Sequence, residues 1–256
     1  MTKTILITGS TSGIGLGIAR AFAALGYNIA FNGLEANGAE IAKAVADEFK
    51  IKYSFSPANM LQPEAIRTMV ADAITAFGKV DVLVNNAGIQ YVAPVDEFPE
   101  DKWDDIIAVN LTAAFHATKA VWGSMKANKY GRIINIASAH GLRASAFKSA
   151  YVAAKHGIVG FTKTMALEGA PFGITCNAIC PGYVDTPIVR KQIPQQAEIH
   201  NMTEQEVIEN IFLERHAVKE FVPIELVAQT TVFLAAEQAG TITGVALPVD
   251  AGWNAH

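Results

Sequence analysis

The chain has 256 residues, of which 51% are apolar and only 17% are charged, and its formal net charge is −4. This length fits one large open α/β domain, and the charge balance excludes a basic surface for nucleic acid or an anionic membrane. A chain with so few charges must bury a large core and part of its outer surface. We therefore expect one domain over residues 1–256 that forms oligomers.

Short apolar runs alternate with segments of helical spacing along the chain. The first run follows Met1-Thr2-Lys3 directly, which leaves no room for a signal peptide. No apolar run approaches the ~18 residues that a membrane span needs, so we expect a cytoplasmic protein that does not bind membranes. The predicted strands are residues 4–8, 28–32, 52–55, 80–84, 132–137, 175–179 and 245–249. All are apolar throughout, as is typical of strands covered by helices on both faces.

The helical segments complete repeated β-α-β units. Long helices are predicted near residues 101–127 and 151–169, and the pattern as a whole predicts a doubly wound parallel seven-stranded α/β sheet, Rossmann-like, which binds ligands at the carboxyl ends of its strands. Residues 186–222 depart from this pattern because they are polar and contain no strand. Within them, Thr203 and Glu206 have the spacing of a capping box. This segment after strand six is either a helical lid or a solvated surface excursion.

Cys176 and Cys180 lie in the predicted sixth strand. Four residues of extended chain separate them by about 13 Å, which is too far for a disulfide. We therefore expect two buried thiols in a reducing compartment and no metal site.

A glycine-rich turn, with Gly9, Gly13 and Gly15, separates the first strand from the first helix. Glycines let the backbone turn tightly and approach a pyrophosphate, whose charge the N–H groups of the helix start attract. The strand–turn–helix context favours dinucleotide binding over an ordinary tight turn.

Further motifs follow in order and make the sequence resemble the short-chain dehydrogenase/reductase family from end to end. They are the three-residue gap between the first two glycines, Asn85-Asn86-Ala87-Gly88, Ser138, the Tyr151…Lys155 pair, and Pro181-Gly182. The resemblance implies a catalytic set of Asn110, Ser138, Tyr151 and Lys155. It implies a cofactor site of Gly9, Thr11, Ser12, Gly13, Ile14, Gly15, Leu34, Ala58, Asn59, Met60, Asn86, Ala87, Gly88, Tyr151, Lys155, Pro181, Gly182, Val184 and Thr186.

The catalytic chemistry also follows from the residue types. Tyr151 and Lys155 are four apart on a predicted helix, so they share one face. The nearby ammonium is expected to lower the pKa of Tyr151 from ~10 towards neutrality, so that the phenolate can take a proton from a substrate hydroxyl. Ser138 is expected to hold the substrate oxygen. By resemblance, Asn110 ties Lys155 to a water relay.

The segment after the second strand indicates the cofactor. It reads Asn32-Gly33-Leu34-Glu35, without a lysine or arginine to pair with a 2′-phosphate, and Ser12 occupies a loop position that is often basic in NADP-dependent members. NAD is therefore favoured. The strand-end aspartate usual in the family is absent, and Asn59 replaces an aspartate that faces the adenine in most members. Leu34 is expected to pack near the adenine.

A second set of polar side chains is expected to converge near the catalytic residues: Gln90, His140, Lys148, Gln192 and Trp253. Their donors suit a small carboxylate. The set resembles that of bacterial family members that oxidise D-3-hydroxybutyrate to acetoacetate, which implies a small hydroxy-acid substrate, NAD and a homotetramer.

Two alternatives stay open. One is another reductase of the family, such as a 3-oxoacyl-carrier-protein reductase. The other is a non-catalytic dinucleotide-sensing regulator, which has no use for the catalytic serine, tyrosine and lysine.

Overall fold

Seven parallel strands form one sheet in the computed structural model, which describes residues 2–255 except for the side chains at positions 188, 195 and 199. The strands are β1 Thr4–Ile7, β2 Asn28–Asn32, β3 Tyr53–Ser56, β4 Val82–Asn85, β5 Gly131–Ile136, β6 Ile174–Pro181 and β7 Ala246–Val249. Their order is β3-β2-β1-β4-β5-β6-β7. The order reverses between β1 and β4, and this is the point at which a doubly wound sheet opens a crevice for ligands.

Helices cover both faces of the sheet. They are α1 Gly13–Ala24, α2 Gly38–Phe49, α3 Pro63–Phe77, α4 Glu100–Ile107, α5 Ala113–Asn128, α6 Ser149–Gly169, α7 Pro187–His200, α8 Glu204–Val207 and α9 Ile224–Ala235. A π-helical turn, Ala108–Thr112, joins α4 to α5, so residues 100–128 are helical without a break. Among the described residues, no helix combines the length and the apolar composition of a membrane span.

The core forms two layers, one on each face of the sheet. In β1, Ile5 and Ile7 pack in the layer beneath α1 and α9, whereas Leu6 packs in the opposite layer with α3 and α5. All three side chains are fully buried. Because both faces are covered, most strand positions are apolar, and this explains the largely apolar sequence of the strands. The buried exceptions form hydrogen bonds, as Asn135 in β5 does with Asn85 and Thr162.

The predicted doubly wound sheet is confirmed, and each strand boundary lies within two residues of its predicted position. Both cysteines are buried in β6 and form no disulfide. Burial raises the pKa of the Cys176 thiol to about 12 and that of Cys180 to about 11, which makes both poor nucleophiles.

The segment 186–222, called the lid segment below, is mainly helical. It contains α7, α8 and a π-helical turn, Ile208–Phe212, and the predicted capping box of Thr203 and Glu206 is present. Its end returns to the carboxyl edge of the sheet, where the Val222 N–H donates to the Tyr183 carbonyl. The helical structure is thus observed, while a closing movement of this segment remains a prediction.

Candidate active site

The glycine-rich turn has the shape that a pyrophosphate needs. Gly9 and Gly13 have φ values of 62° and 51°, in the left-handed region. A Cβ at Gly15 would collide with the Gly9 carbonyl. The Asn86 side chain donates to the carbonyls of Thr8 and Gly9, 2.9 Å each, and fixes the turn.

The start of α1 is open to an anion. Ser12 is the N-cap residue, but its hydroxyl does not cap the first turn of the helix and donates instead to Glu35 at 2.8 Å. The N–H groups of the first turn therefore remain available to the phosphates of a dinucleotide, which fits the cradle that the glycines form.

Asn32, the last residue of β2, supports this turn. The Asn32 Oδ1 accepts from the Gly9 N–H at 3.0 Å, and its amide group donates to the carbonyls of Ser56 and Ala58. Because its amide is used inside the protein, Asn32 cannot replace the missing strand-end aspartate.

Glu35 lies over the turn and accepts hydrogen bonds from the hydroxyls of Thr11 and Ser12. Desolvation would raise the pKa of Glu35, but these hydrogen bonds outweigh it and hold the pKa below its usual value. The sequence interpretation gave Glu35 no role. Its position directly after Gly33-Leu34, in the segment that follows β2, could have indicated a role near the cofactor.

The other predicted cofactor residues surround the same edge of the sheet. Leu34 is 65% exposed, and Ala58 and Met60 are buried after β3. The Asn59 Oδ1 accepts from the Leu61 N–H, so it forms a local turn. Thr186 caps α7 and lies 3.7 Å from where a Cβ on Gly13 would stand. The remaining positions at the ends of β4 and β6 and at the start of α1 are Ile14, Ala87, Gly88, Pro181, Gly182 and Val184.

Helix α6 places Tyr151 and Lys155 on one face, with the Lys155 Nζ 5.5 Å from the centre of the tyrosine ring. Lys155 is 4% exposed, and its ammonium donates to the Ile136 carbonyl at 2.9 Å. Burial lowers the pKa of Lys155 to about 8.

The expected fall in the Tyr151 pKa is not found. Desolvation raises the pKa of Tyr151 above 10, and this effect exceeds the opposite influence of the Ser138 hydroxyl. The sequence shows the four-residue spacing of Tyr151 and Lys155, but it does not show that Lys155 is buried and that the half-buried Tyr151 is desolvated.

Asn110 lies in the π-helical turn, at the break in α-helical geometry between α4 and α5. Its amide forms two hydrogen bonds of 2.8 Å with the backbone N–H and carbonyl of Ile89. Asn110 and Lys155 line the same small internal cavity. The structure therefore places Asn110 close to Lys155, but its side chain fixes the chain after β4.

Ser138 and His140 form a compact turn after β5. The His140 N–H donates to the Ser138 Oγ at 3.1 Å, and the ring nitrogens contact Ser138 and Ser145 at 3.4 and 2.9 Å. Burial, with smaller contributions from the charges of Lys148 and Arg215, lowers the pKa of His140 to about 4. His140 is therefore neutral near pH 7 and offers one N–H donor.

A series of rings connects Tyr151 to Lys148. Tyr151 meets His140 edge-on at 5.9 Å, and His140 meets Trp253 at 5.1 Å. Trp253 stacks on Tyr183 at 5.6 Å with an interplanar angle of 20°. The Lys148 Nζ donates to the Tyr183 Oη at 3.4 Å. The structure thus brings together three of the five predicted substrate residues with Tyr151, the predicted proton acceptor.

The two predicted glutamines are less closely connected. Gln90 and Gln192 are both exposed, and within residues 2–255 no hydrogen bond joins either to the ring series. Sequence reasoning also missed Tyr183 and His216, which pack against Trp253. The position of Tyr183 directly after Pro181-Gly182 was a usable signal, whereas nothing in the sequence around His216 indicated its burial.

The model of the short chain dehydrogenase family matches residues 3–197. The chain belongs to the short-chain dehydrogenase family. It is 51% identical over 260 residues to the D-beta-hydroxybutyrate dehydrogenase of Rhizobium meliloti (strain 1021), covering all of both chains. It is 49% identical to the D-beta-hydroxybutyrate dehydrogenase of Cupriavidus necator, covering 99% of this chain and 98% of the relative.

A solved structure shows the same fold. The crystal structure of an actinorhodin polyketide ketoreductase variant with NADPH has a TM-score of 0.93 and 34% identity, and the match covers 100% of this chain and 98% of that one. The predicted family and the predicted enzyme class are confirmed. The chain is an oxidoreductase that uses a nicotinamide dinucleotide, which argues against the alternative of a non-catalytic regulator.

Proposed function

We propose that this chain catalyses the reversible NAD-dependent oxidation of D-3-hydroxybutyrate to acetoacetate. The observation that carries the proposal is the Lys148 ammonium, which lies at the end of the ring series from Tyr151. Among the described side chains, Lys148 has no carboxylate partner within 4.0 Å. A half-buried ammonium without an acidic partner suits the carboxylate of a small hydroxy acid. The names of the two relatives support this assignment.

Different side chains of the site would bind different groups of such an acid. Lys148 would pair with its carboxylate, and the neutral His140 would donate one hydrogen bond. Trp253 is 6% exposed, and its buried indole N–H has no hydrogen-bond partner in the described part of the chain. An unpaired buried donor is costly, so an acceptor from the substrate would stabilise it.

The proton chemistry rests on Tyr151. When bound, the nicotinamide accepts the hydride from the hydroxyl carbon. Ser138 would orient the substrate hydroxyl, and Tyr151 would take its proton. Because the pKa of Tyr151 is raised, little phenolate exists near pH 7, so oxidation should become faster as the pH rises. In the reverse direction the neutral phenol is the required form, and reduction of acetoacetate should be fast near neutral pH.

Glu35 supports NAD as the cofactor. Its carboxylate accepts from two hydroxyls of the glycine-rich turn, so it would lie near the adenosine ribose of a dinucleotide whose phosphates bind at the start of α1. A ribose 2′-hydroxyl can donate to this carboxylate, whereas a 2′-phosphate would be repelled by it. NADPH in the ketoreductase structure is a property of that protein.

A substrate panel tests the proposal. It contains D- and L-3-hydroxybutyrate, a 2-hydroxy acid, the methyl ester of D-3-hydroxybutyrate and an acetoacetyl thioester, each with both cofactors. We expect the highest kcat/KM for D-3-hydroxybutyrate with NAD. A higher kcat/KM for the acetoacetyl thioester with NADPH would instead favour the alternative reductase.

A further inference from the structure

Tyr183 connects the substrate side of the site to the end of β6. Its ring stacks on Trp253 and meets the Phe212 ring edge-on at 5.1 Å. Its hydroxyl accepts from the Lys148 Nζ at 3.4 Å, and the ammonium also lies 5.7 Å from its ring centre. Lys148 immediately precedes α6, so this contact joins two elements of the site that are distant in sequence.

The Tyr183 backbone is itself held in place. Its N–H donates to the Nε2 of His216 at 3.2 Å, so the ring proton of His216 is on Nδ1, which donates to the Glu220 carbonyl at 2.9 Å. His216 is 1% exposed. A Cβ at Gly182 would lie 2.7 Å from the His216 Nε2, so only glycine leaves room for this contact. These contacts fix the residues just before the lid segment against the end of that segment.

We propose that Tyr183 is a positioning residue for substrate binding, whose hydroxyl holds the Lys148 ammonium towards the substrate carboxylate. This inference rests on the proposed function, since it takes the carboxylate of a hydroxy acid as the ligand of Lys148. A lysine side chain loses rotamer entropy when it is ordered. A contact that orders it before the substrate arrives removes part of this cost from binding.

A phenol and a carboxylate at position 183 would have different effects on the charge of Lys148. A carboxylate in this position would orient Lys148 but would also neutralise it and compete with the substrate. The Tyr183 hydroxyl accepts one of the three N–H donors of the ammonium and leaves its positive charge available to the substrate. Tyr183 therefore orients the cation without replacing its ligand.

The test is a double-mutant cycle with Tyr183→Phe and Lys148→Met. Tyr183→Phe keeps the ring that stacks on Trp253 and removes only the hydroxyl. We expect KM for D-3-hydroxybutyrate to rise about three- to tenfold, with kcat and KM for NAD within twofold of wild type. In the Lys148→Met background, Tyr183→Phe should change kcat/KM by less than twofold, because the group that it positions is absent.

Tyr130→Phe is the matched control. The Tyr130 hydroxyl also accepts from a lysine, Lys3, at 3.2 Å, but it lies before β5 at the opposite edge of the sheet. This variant should leave every kinetic constant unchanged.

The cycle is measured with the hydroxy acid that the wild-type enzyme oxidises fastest. If this acid is not 3-hydroxybutyrate, the proposed substrate is wrong, but the cycle still tests the link between Tyr183 and Lys148. An unchanged KM in Tyr183→Phe, or an equal effect in the presence and absence of Lys148, overturns the inference. Turnover of uncharged alcohols alone overturns both proposals.

Discussion

Replacing Glu35 by glutamine tests the basis of cofactor choice. The change removes the negative charge beside the glycine-rich turn and keeps one of the two oxygens, so that one of the hydrogen bonds from Thr11 and Ser12 can be retained. The ribose 2′-hydroxyl of NAD can still donate to the amide oxygen. We therefore expect kcat/KM for NAD to fall by less than about threefold, while kcat/KM for NADP rises.

The size of the change follows from the exposure of Glu35. Two unit charges about 4 Å apart in water interact by about 1 kcal/mol, and a 2′-phosphate carries close to two charges. Glu35 is an exposed residue, so the value for water applies rather than the larger value for a protein interior. About 2 kcal/mol corresponds to a fall of roughly 30-fold in the preference for NAD.

Steady-state rates with both cofactors, at low and high salt, provide the measurement. At about 1 M salt the Debye length is near 3 Å, so wild type and variant should show more similar preferences than at low salt. Glu237→Gln is the control, because this carboxylate pairs with Lys3 before β1, at the other edge of the sheet. A wild-type preference for NADP, or an unchanged kcat/KM for NADP in Glu35→Gln, would refute the reasoning.

Four further predictions follow from the site and the composition. Tyr151→Phe should lower turnover by orders of magnitude while NAD affinity, measured by fluorescence titration, stays nearly unchanged; a normal rate would contradict the assignment of the proton acceptor. Lys148→Ala should lower kcat/KM for D-3-hydroxybutyrate about tenfold, whereas the rate with the methyl ester should change little. Tenfold is at the lower end of the loss expected for a charge-assisted hydrogen bond, because Lys148 is only half-buried. The pKa of His140 is about 4, against an ordinary value of 6.5, so the unfolded chain binds a proton at a higher pH than the folded chain does. The folded state should therefore lose on the order of 2–3 kcal/mol of stability as the pH falls from 6.5 to 4.5. Urea unfolding of His140→Asn should show this pH dependence reduced by that amount. We expect a homotetramer, because the chain has few charged residues and exposes large apolar side chains such as Leu167, which is 79% exposed. Light scattering of the purified protein would detect it.

The sequence predicts the fold well because burial on both faces gives most strands a short apolar run, whereas apolar residues of the helices recur at helical spacing. It also predicts the turn of Gly9, Gly13 and Gly15, since the steric demands of a tight turn act over neighbouring residues. These features depend on local sequence, and the structure bears them out.

The details of the site depend on contacts between distant segments, and these were harder to predict. Lys148 meets Tyr183 across 35 positions, and Tyr183 meets His216 across 33. Glu35 is next to Leu34, which was given a role, but only the folded loop turns its carboxylate towards Thr11. The pKa of Tyr151 was predicted in the wrong direction because the charge of Lys155 is visible in the spacing, whereas desolvation is not.

The two lysines of the site, Lys155 and Lys148, differ in burial, and they are therefore suited to different roles. Lys155 is almost fully buried with a pKa of about 8, so its charge is lost at a lower pH than that at which Tyr151, whose pKa is raised above 10, would become ionised. Lys148 is half-buried beside solvent, and its charge, together with burial, keeps His140 neutral. A neutral His140 can donate to a carboxylate without adding a second buried charge that would need its own partner. Because His140 stays neutral between about pH 6 and 8, its protonation should not alter substrate binding, and a rise in kcat for oxidation over that range would report the proton acceptor rather than His140.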